Sequence, residues 1–124
     1  MKYDHQIKSE EGFFMLNKVR EICRTLPEAV ETMDGFGCTT FRIRNKSFLR
    51  MSESEKGVQV SFKSDQENQS ILLQGENYIK APYIGHHGWV ALNKEVPVNW
   101  NELGVLLSEA YLRTAPKEIR KQII

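Results

Sequence analysis

Four cations crowd one stretch of this chain with no carboxylate between them: Arg42, Arg44, Lys46 and Arg50 all fall between Gly35 and Ser52. Guanidinium and ammonium groups on an extended strand donate to phosphate oxygens. A β-ribbon carrying them on its exposed face can contact a nucleic-acid backbone or enter a groove. Lys63 and Lys80 extend the set. The plainer alternative is a solvated sheet face, because surface strands carry Arg and Lys to prevent edge-to-edge pairing.

A second group lies in Tyr78-Ile79-Lys80-Ala81-Pro82-Tyr83-Ile84-Gly85-His86-His87-Gly88-Trp89. Tyr83 and Trp89 could stack on a base or another planar ligand while Lys80 and His86 or His87 meet a phosphate. Alternatively, Tyr83 and Trp89 fill the core and the two glycines serve a tight turn. The same loop suits a protein partner or a small ligand.

Other chemistries find no constellation. A metal centre needs three or four convergent ligands, whereas adjacent His86 and His87 on an extended chain would point to opposite faces. Cys23 and Cys38 form no C-x-x-C pair, and Cys23 falls on an apolar helical stripe. There is no G-x-S-x-G elbow, and Gly35-x-Gly37 lacks the third glycine and following helix of a phosphate loop. The expectation is a binding domain with no catalytic residue, metal or cofactor. An unrecognised enzyme would instead require a concave pocket holding a perturbed ionisable group.

Periodicity predicts the elements that position these groups. Phe13, Leu16, Val19, Ile22 with Cys23, and Leu26 trace a helical face. Ser9 is its expected cap and Pro27 its stop. Ala29–Met33 reads as a short strand, followed by the turn Asp34-Gly35. Thr39–Arg44 and Ser47–Met51 alternate around the link Asn45-Lys46, which predicts a hairpin. On its first strand Arg42 and Arg44 share the face opposite Phe41 and Ile43. A strict two-residue link, however, pairs Phe41 with Arg50 and Arg42 with Leu49, mixing apolar and charged residues on one side unless a bulge intervenes. Val58–Lys63 completes a meander. A short helix follows, capped by Ser64 or Asp65, with Ile71, Leu72 and Leu73 as its apolar content. Asn77–Pro82 is extended, Gly88–Asn93 is a last core strand, and Asn99 caps a helix burying Leu103, Leu106, Leu107, Ala110 and Tyr111. Pro116 opens a final short helix. The fold class is therefore α+β, a two-layer α/β sandwich with an antiparallel sheet (meander plus a later strand) and helices on one side.

With 124 residues and a net charge of +1, the chain fits one globular domain over 1–124 and excludes a protein that is basic throughout. The total conceals a local excess: residues 35–63 hold six basic and two acidic side chains, a balance of +4. No apolar run approaches the ~20 residues of a membrane helix. The N-terminal residues carry no secretory signal, and two unpaired thiols suit a reducing compartment, so a cytoplasmic location away from membranes is expected.

The ordered pieces Leu26-Pro27, Gly35-Phe36-Gly37, Phe41-Arg42-Ile43-Arg44-Asn45-Lys46-Ser47-Phe48, Val60–Lys63, Ala81-Pro82-Tyr83-Ile84-Gly85-His86-His87-Gly88-Trp89-Val90 and Ala110-Tyr111 with Ala115-Pro116-Lys117 resemble the YjbR/MmcQ family of small bacterial proteins. The resemblance runs from about residue 10 to 120. It implies a CyaY-like sandwich and a suggested DNA-binding role through hairpin wings, in a family without an established biochemical activity. Where that family often has Gly before the hairpin Lys, this chain has Asn45. The fold by itself would not bring frataxin's iron chemistry with it.

Overall fold

The computed structural model describes residues 4–123. Helix α1 (Glu10–Cys23) begins where Ser9 Oγ accepts from the Gly12 amide at 2.9 Å, and Glu10 and Glu11 lie in the first turn, where the helix dipole favours anions. Its buried face is Gly12, Met15, Leu16, Val19 and Cys23, rotated from the expected stripe. Phe13 is exposed, and Ile22 only packs at the margin of the core. The rotation follows from the close approach of Glu53 and Ile7: a Cβ at Gly12 would lie 2.6 Å from Glu53 Oε1 and 2.7 Å from Ile7 Cγ2.

Six strands then form one antiparallel sheet in the order β1-β2-β3-β4-β6-β5. They are β1 (Val30–Met33), β2 (Thr39–Ile43), β3 (Lys46–Ser54), β4 (Gly57–Phe62), β5 (Tyr78–Lys80) and β6 (Val90–Leu92). Strand β1 is an exposed edge. Before β2, Asp34 Oδ1 accepts from the amides of Phe36 and Cys38, as Asp does in turns. Helix α2 (Gln66–Leu72) is capped by Asp65 and follows β4. It buries Gln69 rather than the expected apolar run: Ile71 and Leu73 are exposed, and only Leu72 reaches the core. Helix α3 (Trp100–Thr114) is capped by Asn99 and buries Leu103, Leu107, Ala110, Tyr111 and Thr114, with Leu106 half-buried. Helix α4 (Lys117–Ile123) closes the described chain.

The core lies between the helices and one sheet face. Met15, Leu16 and Val19 of α1, Leu103, Leu107 and Tyr111 of α3 and Ile119 of α4 meet Phe41, Ile43, Leu49, Met51, Val60, Phe62 and Val90. An edge-to-face ring pair locks the layers, Phe48 of β3 with Tyr111 of α3 at 5.6 Å, and a second, Phe62 with Tyr78 at 5.9 Å, packs within the sheet. Tyr111 also donates its hydroxyl to the Pro27 carbonyl at 2.6 Å, tying α3 to the turn after α1. The architecture is α+β with an antiparallel sheet, as the periodicity predicts.

The N-terminal segment is laced to β3. Glu53 Oε1 accepts from the Lys8 amide at 2.8 Å and the Ser9 amide at 3.1 Å, and these two bonds hold its carboxyl below the ordinary value of 4.5. A carboxyl whose pKa is lowered by folding contributes stability above its unfolded value, and that contribution is lost as pH falls through the folded value. Glu53→Gln should therefore lower the melting temperature at neutral pH, and the gap from wild type should shrink as the pH falls below the ordinary carboxyl value of 4.5. Thermal melts of both proteins across that range check this; a gap independent of pH would contradict it.

Candidate functional site

The basic hairpin turns one residue earlier than expected. Ile43 pairs with Lys46, so the two-residue link is Arg44-Asn45 and not Asn45-Lys46. Both linking residues have positive φ, 50° and 70°, as a hairpin turn matched to strand twist requires. Asn tolerates that conformation locally. Arg44 is held there by Glu28, whose Oε1 lies 2.8 Å from its Nε, and by Glu118 at 3.4 Å. Arg44 is thus a turn residue, not a strand residue sharing a face with Arg42. Its guanidinium already faces two carboxylates, and each side of the Arg44–Glu28 pair has its charged form favoured by the contact.

A bulge resolves the mixed register. Arg42 pairs with Ser47 and Phe41 with Leu49, leaving Phe48 as the additional residue on β3. Phe48 and Leu49 are consequently both fully buried. Beyond the bulge the alternation is regular, and Arg50 pairs with Thr40 on one side and Ser61 on the other.

The helices cover only one face of the sheet. Register and alternation place Val30, Thr32, Thr40, Arg42, Arg50, Ser52, Gln59, Ser61, Ile79 and Ala91 on the other face. None of these ten is acidic. Lys63 follows Phe62 and still donates its amide to the Phe48 carbonyl at 2.9 Å, so alternation adds it to the same face. Arg42 reaches the Asn45 carbonyl at 3.1 Å and Thr40 Oγ1 at 3.4 Å, and no carboxylate pairs with it among the described residues. Lys63 has no side-chain hydrogen bond or ion pair among them either. Arg50 is engaged more firmly, with Asp34 Oδ2 at 3.2 Å and Cys38 Sγ at 3.5 Å from Nη2. Lys46 is exposed beside the turn. The hairpin cations therefore divide: Arg42, Arg50 and Lys63 converge on the open face, whereas Arg44 and Lys46 mark its tip.

The second group borders the same face. Trp89 is 9% exposed and packs with Ala81, Ala91 and Ile84 over the β5–β6 end. By the Phe62–Val90 pairing it neighbours Lys63 across the ladder. Tyr83 does the opposite, at 95% exposed. Among the two ring roles weighed for this segment, Trp89 takes packing and Tyr83 takes solvent. His86 and His87 lie in a 3₁₀ turn (Gly85–His87), not on an extended chain, so their rings do not diverge: the centroids are 3.9 Å apart. Buried Gln69 fixes the loop by donating to the carbonyls of Gly85 and Trp89 at 2.7 and 2.8 Å. The Lys80 stem runs across Gly85, where a Cβ would collide with its Cγ. Gly88 is left-handed at φ 93°, and a Cβ there would lie 2.9 Å from the Ser64 carbonyl oxygen.

No group of three or more His, Cys, Asp or Glu among the described residues could hold a metal ion. Cys23 and Cys38 are both buried, and burial pushes the Cys23 thiol up to about 12. A surface cavity of about 620 Å³ runs along β5 past Leu73, Ile79, Lys80 and Val96, away from the hairpin. No helix among the described residues is long and apolar enough to cross a membrane.

The contributors missed by sequence reasoning are Asp34, Glu28 and Glu118, which neutralise two of the cations. The small hydroxyl residues Thr40 and Ser61 were missed as well. Alternation from Arg42 would have found Thr40, and from Lys63, Ser61; nothing local points from Arg44 to Glu118.

A helix-backed antiparallel sheet whose second face carries no helix and no strand carboxylate defines a small α+β domain. The chain belongs to the YjbR family, whose model matches residues 24–113. In fold it is similar to the crystal structure of Deinococcus radiodurans protein DR2400, which carries a DUF419 domain: TM-score 0.71, 24% identity, covering 86% of each chain. No curated protein matches it significantly.

Proposed function

We propose that this YjbR-family protein is a non-enzymatic, cytoplasmic, nucleic-acid-binding domain of CyaY-like architecture, and that it engages phosphates with the open face of its sheet. The observation carrying this reading is the convergence of Arg42, Arg50 and Lys63 on a face whose strand positions hold no carboxylate. Thr40 and Ser61 between them are buried, so the longer cationic side chains would make the contact with a sugar-phosphate backbone. Lys46 at the hairpin tip extends the contact, so the hairpin serves as a flank of the face more than as an independent wing; Lys80 pairs with the core residue Val90 and falls on the other side of β5. DNA is the reference ligand.

The test is a fluorescence-anisotropy titration with labelled oligonucleotides over a series of salt concentrations. Counterion release requires log affinity to fall linearly with log salt. Absence of binding at low salt would overturn the reading. Use of the Tyr83–Trp89 loop by a protein partner or small ligand is the second reading, favoured by the exposure of Tyr83; it predicts a partner lost on Tyr83 substitution with the oligonucleotide affinity unchanged.

A further inference from the structure

Tyr83 combines two features that packing does not explain. Its φ is +65°, and the Ile84 amide donates back to the Pro82 carbonyl at 2.7 Å, forming a γ-turn with a positive central φ. Such turns are rare and strained for a residue with a side chain. The strain secures no burial, since the ring is almost wholly in solvent. The turn is nevertheless held from both sides: Ile84 packs beside Trp89 and Ala91, and Gln69 fixes the loop through the carbonyls of Gly85 and Trp89. A fixed scaffold thus presents a bare aromatic ring at the end of the sheet face that carries Lys63.

We infer that Tyr83 is a stacking platform for an unpaired base, and that the nucleic acid taken by the open face is single-stranded. This rests on the nucleic-acid reading above and narrows its substrate class. Single-strand sites combine a cationic track for the backbone with exposed rings on which bases stack, and every base offers a π-face. Arg42 and Lys63 supply the track, and Tyr83 supplies the ring. The bases of a duplex are already stacked on one another and cannot use it.

The discriminating variants are Tyr83→Gly, Tyr83→Ala and Tyr83→Phe, titrated with a labelled single-stranded oligothymidine and with a duplex of equal length. Wild type should bind the single strand more tightly. Loss of the ring in Tyr83→Gly or Tyr83→Ala should weaken single-strand binding about tenfold and leave duplex binding unchanged, while Tyr83→Phe retains the affinity. Glycine adopts positive φ freely, so Tyr83→Gly should melt no lower than wild type; a ring needed for packing would lower the melting temperature. Tighter duplex binding, or single-strand affinity indifferent to the ring, would overturn this inference and leave the open-face reading standing. Absence of binding to either oligonucleotide would overturn both.

Discussion

Replacing Tyr111 with alanine is expected to destabilise the domain by about 3–5 kcal/mol, the range for deleting a large buried ring. Tyr111 is fully buried in α3, stacks edge-on against Phe48 and donates to the Pro27 carbonyl at 2.6 Å. Its removal opens a cavity between helix and sheet where the β3 bulge delivers Phe48, and it leaves the Pro27 carbonyl without that donor. Small domains have only about 5–15 kcal/mol in total, so this one change should remove a large part of the margin. Tyr111→Phe keeps the ring and loses only the hydrogen bond, at a cost of about 1 kcal/mol. Urea unfolding of the three proteins measures both differences. A Tyr111→Ala loss below about 1 kcal/mol would show that the layers are not locked at this point.

The second large effect concerns binding. The double substitution Arg42→Ala with Lys63→Ala should reduce oligonucleotide affinity about tenfold or more at low salt. It should also flatten the salt dependence by about 0.7 per lost phosphate contact on a single strand. These two residues are chosen because no carboxylate pairs with either among the described residues, so their charge is available to a ligand. Arg44→Ala serves as the contrast: Glu28 and Glu118 already face that guanidinium, and its removal should change the slope less. Equal effects from Arg44→Ala and from the double variant would move the contact surface from the sheet face to the hairpin tip. Both variants alter exposed or half-exposed side chains, so unchanged thermal melts are expected to accompany the binding losses.

The elements of the fold were legible because period and caps are local. Ser9, Asp65 and Asn99 each cap the helix that follows, and the β2 to β4 meander lies where the alternation places it. Three features escaped because they are set by tertiary contact. The bulge at Phe48 is required by the wish of two consecutive apolar residues to be buried, but the pattern alone cannot say which residue is extra. The turn moved to Arg44-Asn45 since ion pairs from distant Glu28 and Glu118 hold an Arg in a left-handed conformation that composition argues against. Phe13 matched the helical period as well as Met15 did. The close approach of Glu53 and Ile7 at Gly12 decided which flank of α1 turned inward.

The candidate site was legible in composition and less so in arrangement. The +4 excess of residues 35–63 pointed to β2, β3 and the end of β4, where Arg42, Arg50 and Lys63 lie. Charge counting could not distinguish Arg42 from Arg44, because the difference lies in what sits opposite each guanidinium. For the loop, sequence offered Tyr83 and Trp89 as equals. The separation came from position: Trp89 stands one residue before β6 against Ala81, Ala91 and Ile84, while the ring of Tyr83, on a positive-φ turn, stands in solvent.

The most direct test of the open-face account is the map of backbone amide shifts as unlabelled single-stranded oligonucleotide is added to the isotope-labelled protein. The account predicts perturbations concentrated at Thr40, Arg42, Arg50, Ser61 and Lys63 and continuing to Tyr83, with α1 and α3 unmoved. Perturbations centred on the exposed flanks of α1 and α3, or none at all at low salt, would contradict it.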